Sequence, residues 1–165
     1  MNSERFAGHA WQLIHLPAQS PALHMALDEV LTDEVDAGRR GPTLRVWEWA
    51  SPAVVMGRFQ SLRNEVDMAA AQRHGIEVVR RISGGGAMFI EPGNTITYSI
   101  YAPEAMVAGL DFQQSYALMD SWVIQALGEL GIAASYQLLN DITSPAGKIA
   151  GAAQVMREFS RKVQV

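Results

Sequence analysis

Cysteine is absent from the 165-residue chain. That absence excludes disulfides, thiolate metal sites and cysteine nucleophiles within it. Lysine is scarce: of 13 Lys and Arg side chains, only Lys148 and Lys162 are lysines. No apolar run reaches the 18 or more residues that a membrane-spanning helix needs. The opening stretch MNSERFAGHAWQLIHLP has no basic segment followed by a long apolar one, so no signal peptide is expected. Internal repeats and low-complexity linkers are missing as well. Charged residues make up only 18% and apolar residues 48%, which excludes a disordered or coiled-coil chain. The net charge of −4 argues against nucleic acid or an anionic membrane surface as a partner. A soluble, cytoplasmic protein is expected, with one domain or a piece of one.

What is present reads as strands in adjacent groups with helices between them. Trp11 to Leu16 is apolar enough for a first strand. Ser20 resembles an N-cap with Pro21 at the first helical position. Leu23, Leu27, Val30, Leu31 and Val35 then recur at helical spacing. Leu44 to Trp49 and Ala53 to Met56 read as two strands joined in a hairpin-like way by Ser51-Pro52. Asn64 to His74 predicts a short helix, and Ile76 to Ile82 and Ala87 to Ile90 predict strands. Thr95 to Tyr101 alternates, which predicts Ile96, Tyr98 and Ile100 on a buried face. Asp111 with Gln114 resembles a capping box. The helix behind it places Met119, Trp122, Val123, Ala126, Leu127 and Leu130 on one stripe. Ile132 to Gln137 predicts a strand, Leu139 to Gly147 a loop, and Lys148 to Val155 a last strand. The pattern is α+β, with a mixed, mostly antiparallel sheet backed by helices.

Three segments carry candidate chemistry. Ser83-Gly84-Gly85-Gly86 follows a strand ending in Arg80-Arg81. Consecutive glycines leave backbone N–H groups uncovered, so the segment is either an anion cradle or a flexible hairpin tip. Strand alternation sends Arg80 and Arg81 to opposite faces, so one of them can meet a ligand. Lys148 sits among small residues in SPAGKIAGAA, where it is either an exposed strand-end lysine or a point charge for a phosphate or carboxylate. Asn140-Asp141 lies just before it, as an Asx turn or as a Mg²⁺ ligand beside phosphates. Trp47 and Trp49 alternate on a strand and suit core packing. His9, His15, His24 and His74 show no ligand spacing, so zinc is not expected. No Gly-x-Ser-x-Gly elbow is present, which speaks against a hydrolase triad.

Taken in order, RRISGGGAMFIEPGNTITYSI and NDITSPAGKIAGAAQ resemble the lipoate–protein ligase A family, which shares its catalytic fold with biotin–protein ligases. LRVWEWASPAVVMGRFQSLRNEVD and ALDEVL also resemble family segments, so the resemblance runs from about Trp11 to Gln154. It implies a two-step ligation. Lipoate and ATP give lipoyl-AMP, and the lipoyl group then passes to a lysine of a lipoyl domain. The acceptor would belong to a 2-oxoacid dehydrogenase E2 subunit or the glycine-cleavage H protein. The resemblance makes Lys148 the catalytic cation. It assigns nucleotide and acyl-adenylate contacts to Arg81, Ser83, Gly84, Gly85, Gly86, Ala87, Met88, Phe89, Asn94, Asn140 and Asp141. Asp141 would hold Mg²⁺.

Two features depart from the family pattern. Ile90-Glu91 stands where a histidine–aspartate pair is common. Residues 156–165 do not resemble the family's continuation, so residues 1–155 read as a partial catalytic domain with an atypical tail. An inactive remnant, or a subunit completed by a second, C-terminal chain, is therefore an alternative. An octanoyl transferase of the same superfamily would need a cysteine nucleophile, which this chain does not have. A biotin ligase fits the glycine loop less well.

Overall fold

A computed structural model describes residues 2–137 and 139–156. In chain order the elements begin with α1 (Asn2–Ala7), β1 (Gln12–His15), α2 (Pro21–Asp36), β2 (Thr43–Trp47), β3 (Ala53–Met56), α3 (Leu62–Glu65) and α4 (Met68–Arg73). They continue with β4 (Glu77–Arg80), β5 (Met88–Ile90), β6 (Thr97–Tyr101), a 3-10 turn at Glu104–Val107, α5 (Phe112–Glu129), β7 (Ser135–Gln137), β8 (Asp141–Ser144) and β9 (Gly147–Gly151). They form two compact units, one built on His9–Pro103 and the other on residues 2–8 with Glu104–Gln154.

The His9–Pro103 unit holds two three-stranded sheets, ordered β1-β2-β6 and β4-β3-β5. β1–β2 and β3–β4 are parallel, whereas β2–β6 and β3–β5 are antiparallel. Helix α2 begins as its sequence dictates. Ser20 Oγ accepts the Leu23 N–H at 3.4 Å, and Pro21 occupies the first turn, where its missing N–H costs nothing. Leu31 and Val35 of α2 pack with Tyr101, flanked by Ile14 and Leu27. The second apolar cluster joins Trp47, Trp49, Ala53, Val55 and Ile90. Trp47 and Trp49 are 3% and 2% exposed, so both serve the core as their alternation suggested. Burying each such side chain contributes roughly 1.5–3 kcal/mol before entropy.

Between these clusters lies a polar centre. Arg45, 2% exposed, donates to Asp28 Oδ1 at 3.1 Å and to the Tyr101 hydroxyl at 3.1 Å, and its guanidinium lies 4.4 Å from the centre of the Trp47 ring. It also meets His24 Nδ1, while His24 Nε2 bonds the Glu48 carbonyl at 2.8 Å. A ring nitrogen facing a guanidinium must be the acceptor, so His24 is neutral with its proton on Nε2. Ser99 and Tyr101 both donate to Asp28 Oδ1. This centre blurs the expected faces of β6: Tyr98 and Ile100 are half-buried, as are Thr97 and Ser99. Thr97, Ser99 and Tyr101 serve the interior, with Thr97 accepting the Trp49 indole N–H at 2.9 Å, and Ile96 is 77% exposed. A buried arginine needs acceptors, and that need outweighs the alternation.

Other expectations are corrected as well. β2 and β3 are not a hairpin, because each finds its partners in a different sheet. The helix expected over Asn64 to His74 is two short ones. Asp67 splits them by accepting the Ala70 N–H at 2.9 Å as the N-cap of α4.

The second unit contains the antiparallel sheet β7-β8-β9 beside α5. The capping box of α5 is present. Asp111 accepts from Gln114 N–H at 2.8 Å, and Gln114 Oε1 accepts from Asp111 N–H at 3.0 Å. The buried stripe is not the one expected: Ser115, Tyr116, Leu118 and Asp120 are buried, and Leu130 is 76% exposed. Gln154 explains part of the shift, since its N–H reaches the Tyr116 hydroxyl at 2.8 Å and its side chain accepts from Ser115. The expected loop from Leu139 to Gly147 contains strand β8, which pairs on both sides. The fold is thus mixed α+β and mostly antiparallel. Of the atypical tail, residues 157–165 lie outside the described residues.

Candidate functional site

The glycine segment is not a hairpin tip. β4 and β5 do not pair with each other; they flank β3 on its two sides. The chain must therefore cross over the end of β3 between them, and Ser83–Gly86 lies in that crossing.

Three of its four carbonyls accept hydrogen bonds, and the fourth, of Gly85, packs against Gly57. Ser83 O accepts the Arg58 N–H at 2.9 Å. Gly84 O accepts from Arg81 Nε at 3.2 Å and Nη2 at 2.7 Å, and Gly86 O accepts from Nη2 at 2.9 Å. Gly85 O lies against Gly57, where an added Cβ would sit 2.0 Å from it. Only glycine is tolerated at 57 for that reason. Gly85 itself has φ +96°, outside the usual range of L side chains. A trans peptide places its C=O and N–H on opposite sides. Drawing these carbonyls toward Arg58, Arg81 and Gly57 turns the N–H groups of Gly84, Gly85, Gly86 and Ala87 away from those contacts. Among the described residues, these N–H groups donate to no protein acceptor. Gly85, Gly86, Ala87, Met88 and Phe89 are exposed, whereas Ser83 is 8% exposed. The arrangement is a run of outward amides beside an arginine, the composition of an anion cradle.

Arg81 thus shapes the loop directly. Its backbone N–H also bonds Met56 O at 2.9 Å, and Nη1 reaches Val55 O at 3.4 Å. Asn94 lies in an exposed turn, donating to Glu91 at 3.2 Å and accepting from Thr95 Oγ1 at 2.9 Å. Met88 and Phe89 are held on β5 opposite Val55 and Val54.

The second group of expected residues lies on the β8–β9 hairpin of the other unit. Lys148 Nζ pairs with Asp141 Oδ1 at 2.7 Å, the two side chains being 58% and 29% exposed. The register slips between Ile142 and Thr143, so Thr143 opposes Lys148 while Asp141 opposes Gly151. The ammonium lies over Gly151, whose Cβ would stand 3.1 Å from Nζ. Asn140 ties the strand end by exchanging backbone and side-chain bonds with Ala152. Lys148, Asp141 and Asn140 therefore form one group, and Arg81 with Ser83–Gly86 another. Among the described residues no three His, Asp or Glu side chains gather as a metal centre.

Sequence reasoning passed over Gly57 and Gln60, and it gave Arg80 no role beyond sharing a strand with Arg81. Arg80 Nη1 donates to the carbonyls of Gly57, Arg58 and Gln60 at 2.8, 3.1 and 2.8 Å. The signal available was Gly57-Arg58 directly after an apolar strand, but its meaning depends on a loop 26 residues later.

Comparison with known proteins places this geometry. The family model of the lipoyl protein ligase A/B catalytic domain matches residues 20–163. An octanoyltransferase LipM of Exiguobacterium sp. is 36% identical over 132 residues, covering 79% of this chain and 47% of that protein. The bi-partite lipoate protein ligase of Thermoplasma acidophilum, from a structural study of it and its E2 lipoyl domain, superposes with a TM-score of 0.70 at 27% identity, over 90% of this chain and 56% of its own. A lipoate-protein ligase A bound with ATP superposes with a TM-score of 0.73 at 26% identity, over 90% and 61%. The chain spans about half the length of the curated relatives it matches. With its glycine crossing and its lysine hairpin both inside the matched span, this chain belongs to the lipoyl protein ligase A/B catalytic-domain family.

Proposed function

We propose that the chain is the catalytic part of an enzyme that joins lipoate, or a related acyl carboxylate, to ATP as an acyl adenylate, then passes the acyl group to a lysine of a lipoyl domain. The observation that carries this reading is the set of N–H groups from Gly84 to Ala87, which have no acceptor among the described residues, while the Ser83, Gly84 and Gly86 carbonyls are tied back by Arg58 and Arg81. Preorganised amides of this kind stabilise charge that grows during reaction at no reorganisation cost. In the first step a carboxylate oxygen bonds to the α-phosphorus and the bond to pyrophosphate breaks. Negative charge rises on the α-phosphate oxygens, where the loop amides can receive it. Lys148 offers a point charge of the kind that a carboxylate or a phosphate takes. Its partner Asp141 keeps the ammonium on the β8–β9 hairpin before substrate arrives. In the second step the acceptor amine attacks the acyl carbon, AMP leaves, and the amine loses a proton. Asn94 and Asn140, in polar turns, complete the contacts assigned to the nucleotide. Residues 1–155 act as this catalytic part, and an E2 or H-protein lipoyl domain is the expected acceptor.

Mg²⁺ fits only in a limited sense. The chain provides Asp141, one carboxylate already paired with Lys148, so a metal arriving on phosphate oxygens suits it and an all-protein cage does not. When bound, such an ion would supply further neutralisation of phosphate charge.

The octanoyltransferase relatives favour a second reading, acyl transfer from a carrier thioester without ATP. A covalent route of that kind by way of a cysteine is closed to this chain, which has none. Two assays divide the readings. Exchange of labelled pyrophosphate into ATP that depends on lipoate or octanoate is expected. Octanoyl transfer from octanoyl–acyl carrier protein without ATP, and no exchange, would overturn the adenylation proposal in favour of the transferase.

A further inference from the structure

We propose that Arg80, with Gln60 and Gly57, is a brace that sets the shape of the glycine loop, making Arg80 a positioning residue rather than a ligand contact. The inference rests on the reading of that loop as the anion cradle. Arg80 ends β4 and Arg81 follows it, and neither is spare. Arg81 gathers Gly84 O and Gly86 O. Arg80 gathers the 57–60 turn, through one nitrogen and three carbonyls. Gln60 closes the same turn, accepting the Gly57 N–H on Oε1 at 2.8 Å and donating its own N–H to Gly57 O at 3.2 Å.

This turn touches the glycine loop at two points. The Arg58 N–H holds Ser83 O at 2.9 Å, and Gly57 stands against Gly85 O. Across trans peptides, Ser83 O sets the direction of the Gly84 N–H, and Gly85 O that of the Gly86 N–H. Arg81 sets those of Gly85 and Ala87 in the same way. The four amides of the cradle are therefore aimed alternately by two arginines, one of them acting through a turn 20 residues upstream. Loss of Arg80 frees the turn, and with it the Gly84 and Gly86 amides, while the pair governed by Arg81 keeps its support.

All three Arg80 bonds come from Nη1 alone. A lysine ammonium offers three donors from one nitrogen, so Arg80→Lys should serve here although the exchange fails where a planar fork is needed.

The test is amide hydrogen exchange on the full chain, paired with lipoate-dependent pyrophosphate exchange. Arg80→Gln should speed exchange of the Arg58 amide and its turn by about fivefold or more, as for loss of a net hydrogen bond. Amides of β2 and β6 should keep their rates. In the same variant kcat should fall about 10-fold to 100-fold with a much smaller change in KM, as expected when transition-state donors are misplaced. Arg80→Lys should restore both readouts. Gln60→Ala, which leaves Arg80 in place, should show the same exchange signature in weaker form and covers the case in which Arg80→Gln does not fold. Unchanged exchange at residues 57–60 in the variants overturns the brace, whatever the activity. Faster exchange at the turn with unaltered kcat overturns the positioning role. Faster exchange in a protein whose parent form shows no pyrophosphate exchange upholds the brace and instead sinks the adenylation reading.

Discussion

Arg45 carries a full charge into the interior with only 2% of its surface exposed, and the residues around it are arranged to answer that charge. Asp28 supplies the opposite charge, Tyr101 and His24 supply acceptors, and Trp47 supplies a ring face. Removing one member of such a pair leaves the other buried and uncompensated, which costs about 3–5 kcal/mol. Asp28→Ala is therefore expected to destabilise the protein by that order in urea unfolding. A loss below about 1 kcal/mol would mean that water reaches Arg45. Lys148 is the opposite case. Its pair with Asp141 is largely solvent-exposed and stabilises by at most about 1 kcal/mol. Lys148→Ala should leave the unfolding midpoint nearly unchanged while lowering the rate of pyrophosphate exchange by about 100-fold or more, the scale for loss of one charge-stabilising group. An unaltered rate would remove Lys148 from the mechanism.

At the scale of elements, the termini obey local chemistry. The N-cap at Ser20 and the capping box at Asp111 are visible in four-residue windows, and both form as read. Asp111→Ala should cost about 1 kcal/mol, the usual worth of an N-cap, measured by denaturation. The same rule applies at Asp67, inside the single helix expected over Asn64 to His74. Strand pairing is different in kind. β2 and β3 are six residues apart and belong to separate sheets, because their partners come from residues 12–15, 77–80, 88–90 and 97–101. The glycine loop acquires its shape from that pairing, since β3 lies between β4 and β5. Gly57→Ala should disturb the loop more than Gly86→Ala, whose Cβ would meet nothing within 4 Å. Comparing hydrogen exchange at residues 83–87 in the two variants tests this.

For the molecule as a whole, pH stability follows from the buried centre. Burial, the Arg45 charge adding to it, holds the His24 pKa below 6.5. The unfolded chain then binds the proton first as pH falls through 6.5, so stability is complete above that value and declines toward the lower folded pKa. Asp28 acts in the opposite sense. Burial raises its pKa above 3.8, so its contribution is present at low pH and fades as pH rises through the folded value. Unfolding free energy should therefore fall between pH 7.5 and 5, with a slope of at most about 1.4 kcal/mol per pH unit from His24. His24→Gln, which retains an acceptor for Arg45 and a donor for Glu48 O, should flatten that slope. Equal slopes in both proteins would show that His24 is not the group responsible.

Much of this protein was written in the order of its residues. The α+β class, the cap of α2, the capping box of α5, the burial of both tryptophans and the family itself follow from short windows and from motifs in sequence. Local hydrogen bonds and backbone sterics decide such features, so a window of a few residues contains the cause. Tertiary structure alone decided the rest. It set Ser99 and Tyr101 on the buried Arg45–Asp28 pair and Thr97 on the Trp49 indole, moved the buried stripe of α5 toward Ser115 and Leu118, and turned the arginines before the glycines into two clamps. In each case the deciding partner lies some 20 to 70 residues away, or as close as three residues across a turn whose carbonyls only folding brings round. A polar group seeks its nearest acceptor in space, and that distance is not recorded in the spacing of the chain.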